Sequence, residues 1–433
     1  MNKCICVLAS IVLISMGVTS VAFAQTGVIK IGVDAAQSGS FVSAGNTIPA
    51  AVKLAVKQIN DAGGIKVGGK TYLFEPTYLD ERTDIDIAVA NAQQLVNDVG
   101  VQAVWGTESH DFSIAITKIT GPGQVIQFTG NSSMGGELSE ASVAPGGVMH
   151  YAFQTEPPEF QRSGSTAAGV MKLLNKQLTP PPKVSVILVQ NDLGGTYLTA
   201  HYIKALEARG QKVTRIYFPP DTKDFTPILT QIKSMNPDIL HIWYNPDFTL
   251  IALQQAVQLK VARSYFIIGV DPGVWQARQL KVAAPVVISC IGLCWGQPPT
   301  ARVANYFRQY FALGAEKGPQ ASVSLLYYDY VGWYAKALEA VGRLDDPDAV
   351  VEYLLHSKYD GVLSAAPLQF GPLHQVVNVA TEVCSVAPNT SDQFNCAVEQ
   401  PPAQPPQGDV WGSLPKWAQP KWANGEALMA VRF

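Results

Sequence analysis

Short apolar runs alternate with stretches of helical periodicity along this chain, and the alternation starts twice. Residues 28–34 (VIKIGVD) form a run short enough to be a strand buried on both faces. Ile48, Val52, Ala55 and Ile59 then recur at helical spacing, and Gly63-Gly64 stops that helix. Strands are expected over 71–79, 101–105 and 124–129. Between them fall a helix carrying Ala88, Ala92, Leu95 and Val99 and another over 111–120. After a turn-rich stretch at 145–158 the pattern restarts. It runs through strands 183–190, 212–218, 239–244 and 265–270 and helices 196–209, 225–235 and 248–259. Strands alternating with helices argue for parallel sheets covered on both faces. Two such units of similar length imply an α/β protein of two Rossmann-like lobes. Helices follow over 301–313 and 322–342, with a last one starting near Asp345-Asp346-Pro347, where proline suits a first helical turn. Lobe one is expected to comprise 27–153 plus 298–361, and lobe two 154–297 plus 362–390.

The ends of the chain read differently. Lys3 precedes an apolar stretch over 5–18, and Ala22-Phe23-Ala24 places small residues where a signal peptidase reads. A secretory leader over 1–24, cleaved after Ala24, is the expectation, and with it a periplasmic or otherwise extracytoplasmic location. Beyond about 391 the chain turns rich in proline, with Trp411, Trp417 and Trp422, and reads as an extended arm over 391–433. The formal net charge is −3, which gives no reason to expect nucleic acid or an anionic membrane as partner.

Four cysteines follow the leader. An oxidising compartment makes disulfides plausible. Cys384 and Cys396 flank a polar stretch that a bridge would staple as a loop. Cys290 and Cys294 share one apolar run. On a regular strand their Cα atoms would be about 13 Å apart, beyond the roughly 7 Å that a disulfide tolerates. They read as two buried thiols, or as a bridge across a bend. No Cys/His spacing suggests zinc, and neither metal nor cofactor is expected.

Ligands of open parallel sheets bind beyond the carboxyl ends of the strands. In the first unit those ends lead into Ala35–Phe41, Gly106–Asp111 and Gly130–Gly136, loops rich in hydroxyls and glycine. Two of them open helices, whose free N–H groups favour an anion such as a carboxylate; N-capping accounts for the same composition. The second unit offers Gln190-Asn191-Asp192, Tyr244–Phe248 and Val270–Gly273. Carboxylates there suit an ammonium or hydroxyls, while Asp-Pro-Gly also suits a plain turn.

Several phrases carry a family resemblance. The opening through Gln58-Ile59-Asn60-Asp61-Ala62-Gly63-Gly64-Ile65, the DERTD stretch at 80–84, VWGTES, VILVQNDLGGTY and KDFTPILTQIKSMNPDIL resemble the leucine/isoleucine/valine-binding family of periplasmic binding proteins over roughly 28–385. The resemblance implies a type I binding fold, two lobes joined by three crossings that close over a ligand. It implies delivery of amino acids or related small acids to the permease subunits of an ABC transporter, by a monomer. It places His110, Asn131, Ser132 and Ser133 around the ligand carboxylate, Asp271 on the ammonium, and Glu156 near the first crossing. Two family tyrosines are missing, since Ala44 precedes Gly45 and Leu193 follows Asp192. The site is therefore expected to be roomier, with an aromatic or dicarboxylic acid as alternatives to an amino acid.

An enzyme would need a nucleophile elbow or a dinucleotide fingerprint. The sequence has no G-x-S-x-G, and Gly121–Gln124 (GPGQ) lacks the rest of a fingerprint. A sensory domain of the same fold would act through a membrane receptor; no receptor span or signalling region is visible in the sequence.

Overall fold

The computed structural model describes residues 26–130, 134, 138–243, 246–267, 284–291, 301–314, 324–363, 366–377, 379–386 and 394–403. The expected leader and most of the expected arm lie outside them. The double alternation becomes two sheets. The first takes β1 (Gly27–Ala35), β2 (Ile65–Val67), β3 (Lys70–Asp80), β4 (Ala103–Trp105), β5 (Ile126–Phe128) and β6 (Ala152–Phe153) in the order β2-β3-β1-β4-β5-β6. All neighbours run parallel except β2 and β3.

Both faces of β1 are buried, which is why its sequence is a nearly continuous apolar run. Ile29, Ile31, Val33 and Ala35 enter the main core with the helices Thr47–Asp61 and Ser324–Val341. On the other face Gly32 lies against Leu95; a Cβ there would stand 2.8 Å from that side chain. The family-like phrase near residue 60 has a local cause. Asn60, near the end of the helix, ties it to the interior of β3: its amide donates to Phe74 O and its carbonyl accepts from Phe74 N, both at 2.9 Å. Gly64 then turns with φ of 81°, where a Cβ would sit 2.1 Å from Tyr72 O.

The second sheet takes β7 (Val184–Gln190), β8 (Lys212–Phe218), β9 (Ile239–Trp243), β10 (Ser264–Ile267) and β11 (Val286–Ile291). A small antiparallel pair, β12 (Gln369–Phe370) and β13 (Val376–Val377), comes before β14 (Thr381–Val386) and β15 (Phe394–Glu399). The order is β15-β14-β11-β10-β9-β7-β8, parallel up to β11 and antiparallel for the last two.

The helices Ala301–Ala312, Ser324–Val341 and Pro347–His356 return to the first sheet, where Tyr306, Leu326, Tyr330 and Val351 join its core. The segment expected in lobe two over 362–390 divides. Leu363, Leu368, Phe370 and Val376 are buried in the first core, because β12 and β13 tuck beneath Trp333 and Tyr330. Only from β14 onward does the chain belong to the second sheet.

The arm needs a correction of the same kind. Its first described residues form β15, an alternating FNCAVE strand on the sheet edge. Cys384 and Cys396 are directly opposite in that ladder and are disulfide-bonded, with Cα atoms 4.0 Å apart. Cys290 is also disulfide-bonded and so is no free thiol; Cys294 lies outside the described residues.

The first and third passages between the sheets run side by side. Gln154 and Gln375 form a parallel bridge, with Gln154 N donating to His374 O at 2.8 Å and Val376 N to Gln154 O at 3.1 Å. Among the described residues, no helix is long and apolar enough to cross a membrane.

Candidate functional site

In the first sheet, strands are added outward from β1 in both directions, and in the second from β7. The crevice beyond the carboxyl ends of such strands is where open α/β sheets take ligands. Residues following β1, β3, β4 and β7 line it here.

Three carboxyl groups converge on the first edge. Asp34 is next to last in β1, Glu81 follows β3 and Glu108 follows β4, and all three are buried. Asn91, on the helix Ile85–Gln93, donates to Asp34 Oδ1 at 2.8 Å. The backbone N–H of Ala36 donates to Glu108 Oε2 at 3.3 Å. The second oxygen of Asp34, both oxygens of Glu81 and Oε1 of Glu108 have no hydrogen-bond partner among the described residues.

Burial penalises their charged forms. It lifts the Asp34 pKa to about 7, against the Asn91 bond and helped by the charge of Asp80. It lifts Glu108 to about 8, against the Ala36 bond and helped by Asp34 and Asp80. Glu81 is raised well above its ordinary value by burial, then by Glu108, Asp34 and Asp80. Protonated, these groups donate hydrogen bonds as well as accept them.

Asp80 does a different job. It accepts from the N–H groups of Gln37, Ser38 and Arg82 at 2.9, 3.2 and 2.9 Å, and from the Ser38 hydroxyl at 2.7 Å. Partial burial pushes its pKa up, but those four bonds outweigh it and leave the carboxyl below its ordinary range. Asp80 thereby fixes the loop after β1 to the end of β3.

His110 is the first residue of the helix His110–Thr120, after an N-cap, Ser109, whose side chain makes no capping bond. It is 1% exposed, and neither ring nitrogen has a hydrogen-bond partner among the described residues. Its ring meets that of Tyr197 edge-on, with centroids 5.2 Å apart. Tyr197 belongs to the helix Leu193–Glu207 of the second sheet, so His110 is buried where the two units touch. Burial drives its pKa down to about 3, which leaves a neutral imidazole with one donor and one acceptor unspent.

Glu156, in the first crossing, is fully buried and ion-paired with Arg162. Burial raises its pKa while the guanidinium opposes the rise. Its Oε1 has no partner. The crossing is braced by Thr155, whose hydroxyl donates to Thr129 O and Gly130 O at 2.9 Å each, and by Tyr330, whose hydroxyl donates to Thr155 O at 3.0 Å. On the second edge Asp192 caps its helix by accepting from Gly195 N at 2.7 Å and also accepts from the Gln190 amide at 2.6 Å. Burial lifts its pKa to about 8, with the Gly195 bond opposing and Asp111 of the first unit adding to the rise.

Of the six residues expected to hold ligand, the structure places His110 and Glu156, and no hydrogen bond or ion pair joins them. Asn131, Ser132, Ser133 and Asp271 lie outside the described residues. The acids Asp34, Glu81 and Glu108 were not anticipated as a group. Each lies at or just beyond the carboxyl end of a strand, but their meeting depends on the strand order β3-β1-β4, which spacing along the chain does not reveal.

The sequence pattern of the periplasmic binding protein family matches residues 28–381. The chain belongs to the periplasmic binding protein family. It is 26% identical over 222 residues to the Leu/Ile/Val-binding protein homolog 8 of Brucella abortus, 51% of this chain and 52% of that protein. It thus spans about half the length of the curated relatives it matches. Among solved structures, a leucine binding protein from Thermotoga maritima superposes with a TM-score of 0.67 at 17% identity, over 86% of this chain and 98% of that one. A solute binding protein of an R. palustris ABC transporter, in complex with 4-hydroxybenzoate, gives 0.68 at 19%, over 86% and 96%. LivJ from Streptococcus pneumoniae, in complex with isoleucine, gives 0.66 at 17%, over 86% and 99%.

In this periplasmic binding protein the ring that meets His110 from the second unit is Tyr197, four residues after Leu193. Gly45 keeps its place for lack of room, since a Cβ would come within 2.0 Å of Ala36 O.

Proposed function

We propose that this chain is the solute-binding component of an ABC importer. It works outside the cytoplasm after losing residues 1–24, and it holds a small carboxylate in the cleft between the two sheets without changing it. Membership of a family of binding proteins supports this, as do the amino acid and hydroxybenzoate held by structurally similar proteins. The observation that carries it is His110. A fully buried imidazole between two lobes, with both nitrogens unused among the described residues, has a hydrogen-bonding capacity that a ligand in the cleft would satisfy. One unit is built on residues 27–153 with the helices of 301–356, the other on 184–291 with β14 and β15.

Ser132, Ser133 and His110 are proposed to surround the ligand carboxylate, Asn131 and Glu156 to flank it, and Asp271 to face an ammonium or hydroxyl end. The permease subunits of the transporter are the proposed partners, and the protein acts as a monomer. A thermal-shift screen over amino acids, aromatic acids and dicarboxylates should find ligands that raise the melting temperature, since binding only the folded state stabilises it. Asp271→Ala should then weaken an amino-acid ligand by on the order of 2 kcal/mol or more and an unaminated acid far less. Small-angle scattering should show compaction at saturation, because contacts from both lobes favour the closed state. Turnover of a bound candidate, or no shift with any of them, would defeat the proposal.

A further inference from the structure

Away from the cleft, the hairpin of β14 and β15 gathers a set of donor atoms that the binding function does not use. Glu382 and Cys384 are two residues apart on β14 and so share one face of the sheet. Cys396 stands directly opposite Cys384 on β15. A carboxylate oxygen of Glu382 and the two sulfurs lie within 4.8 Å of one another. Glu382 and Cys384 are fully buried, and Cys396 is partly exposed. In the structure the two sulfurs are bonded to each other.

We propose that Cys384, Cys396 and Glu382 form a redox-gated metal site, shut while the disulfide stands and open to zinc once it is reduced. The geometry suits the ion. Zinc binds thiolate at about 2.3 Å and carboxylate at about 2.0–2.2 Å, so any two donors on one ion fall within about 4.6 Å. Two thiolates on a tetrahedral ion stand about 3.8 Å apart, by the same bond length. Cross-strand cysteines reach that spacing by side-chain rotation, without moving the ladder. Two soft sulfurs favour zinc over calcium or magnesium, which take oxygen ligands. Three protein ligands leave the fourth position to water.

The electron and proton balance is simple. A dithiol reductant of the thiol–disulfide oxidoreductase class gives up two electrons and two protons and becomes a disulfide, while the Cys384–Cys396 bond becomes two thiols. Zinc then displaces both thiol protons, and the site of two thiolates, one carboxylate and one dication carries a charge of −1.

The test uses the purified full chain, oxidised or reduced with a phosphine and then freed of it. Metal analysis after zinc loading and gel filtration should find one zinc per reduced chain at this site and none in the oxidised chain. Cobalt in place of zinc should give a thiolate-to-cobalt charge-transfer band. Glu382→Gln should keep that band while weakening zinc at least tenfold. The Cys384→Ser/Cys396→Ser variant should lose both metal and band. Zinc should also raise the melting temperature of the reduced protein, which separates a folded site from thiols of an unfolded chain. Equal zinc in oxidised and reduced protein overturns the proposal, as does none in either. A cobalt band that survives in the double variant overturns it too, by assigning the metal to Cys290 and its partner.

Discussion

Asp34 offers a direct way to test the electrostatics of the first edge. Its carboxyl is held at a pKa of about 7, against 3.8 ordinarily, chiefly because the site is buried. Below about pH 4 the group is protonated in both the folded and the unfolded chain and costs nothing extra. Between that point and about pH 7 the unfolded chain gives up the proton while the folded chain keeps it. Rising pH therefore favours unfolding across this window, by about 1.4 kcal/mol per pH unit for one proton. From pH 5 to pH 8 the loss spans two units of the window, on the order of 3 kcal/mol. Asp34→Asn should abolish it, since an amide keeps the Asn91 contact and does not titrate. His110, His201, His241 and His374 work in the opposite sense. Burial depresses all four, so their contribution is lost as pH falls through the histidine range. The difference between wild type and variant cancels them. Denaturant unfolding without ligand, at pH 5 and pH 8, should show the variant gaining on wild type by about 3 kcal/mol as pH rises. Parallel pH profiles for the two proteins would refute the placement of Asp34 as a buried, raised acid.

Two further substitutions probe the neighbouring groups. His110→Ala should cost about 1–3 kcal/mol of affinity for a ligand found by thermal shift, read by titration calorimetry, because a buried bond to the ligand is lost. Its unfolding free energy should change less than its affinity. Arg162→Met should destabilise the protein by about 3–5 kcal/mol by stranding the Glu156 charge, and the further change Glu156→Gln should recover most of that loss in the same denaturant assay.

Most strands and helices of the two alternations were legible because their causes are local; the helix Glu159–Gln177, which packs on the second sheet, was not expected. β1, β7 and β9 are apolar runs buried on both faces, and some helices begin or end on a residue with a reason to be there. Pro347 opens one helix and Gly63-Gly64 closes another. β15 was not legible, because six alternating residues stand between a polar stretch and a run of prolines that dominate the composition. Their strand character depends on β14 being alongside. The destination of residues 363–377 was hidden for the same reason. Nothing in Leu368 or Phe370 says which sheet they will cover, and Trp333 decides it. The candidate site divides in the same way. His110 was singled out through the family resemblance, whereas Asp34, Glu81 and Glu108 become one group only after three strands have taken their order.

The return of the three late helices to the first sheet also fixes a timetable. When residue 153 leaves the ribosome, all six strands of that sheet exist, yet the face bearing Ile29, Ile31 and Val33 is covered only by the helix Thr47–Asp61. Its lid is Leu326, Tyr330 and Tyr334, and Gln58 must wait for Gln309, 251 residues further on, to complete its bond at 2.8 Å. At 5–20 residues per second, the gap between residue 153 and residue 324 takes roughly ten to thirty seconds to synthesise. Through that interval the amino-terminal part lacks the half of its core that the late helices supply. A half-made lobe of this kind is loose enough to be threaded through a narrow channel. It becomes unthreadable only after its own last third has arrived.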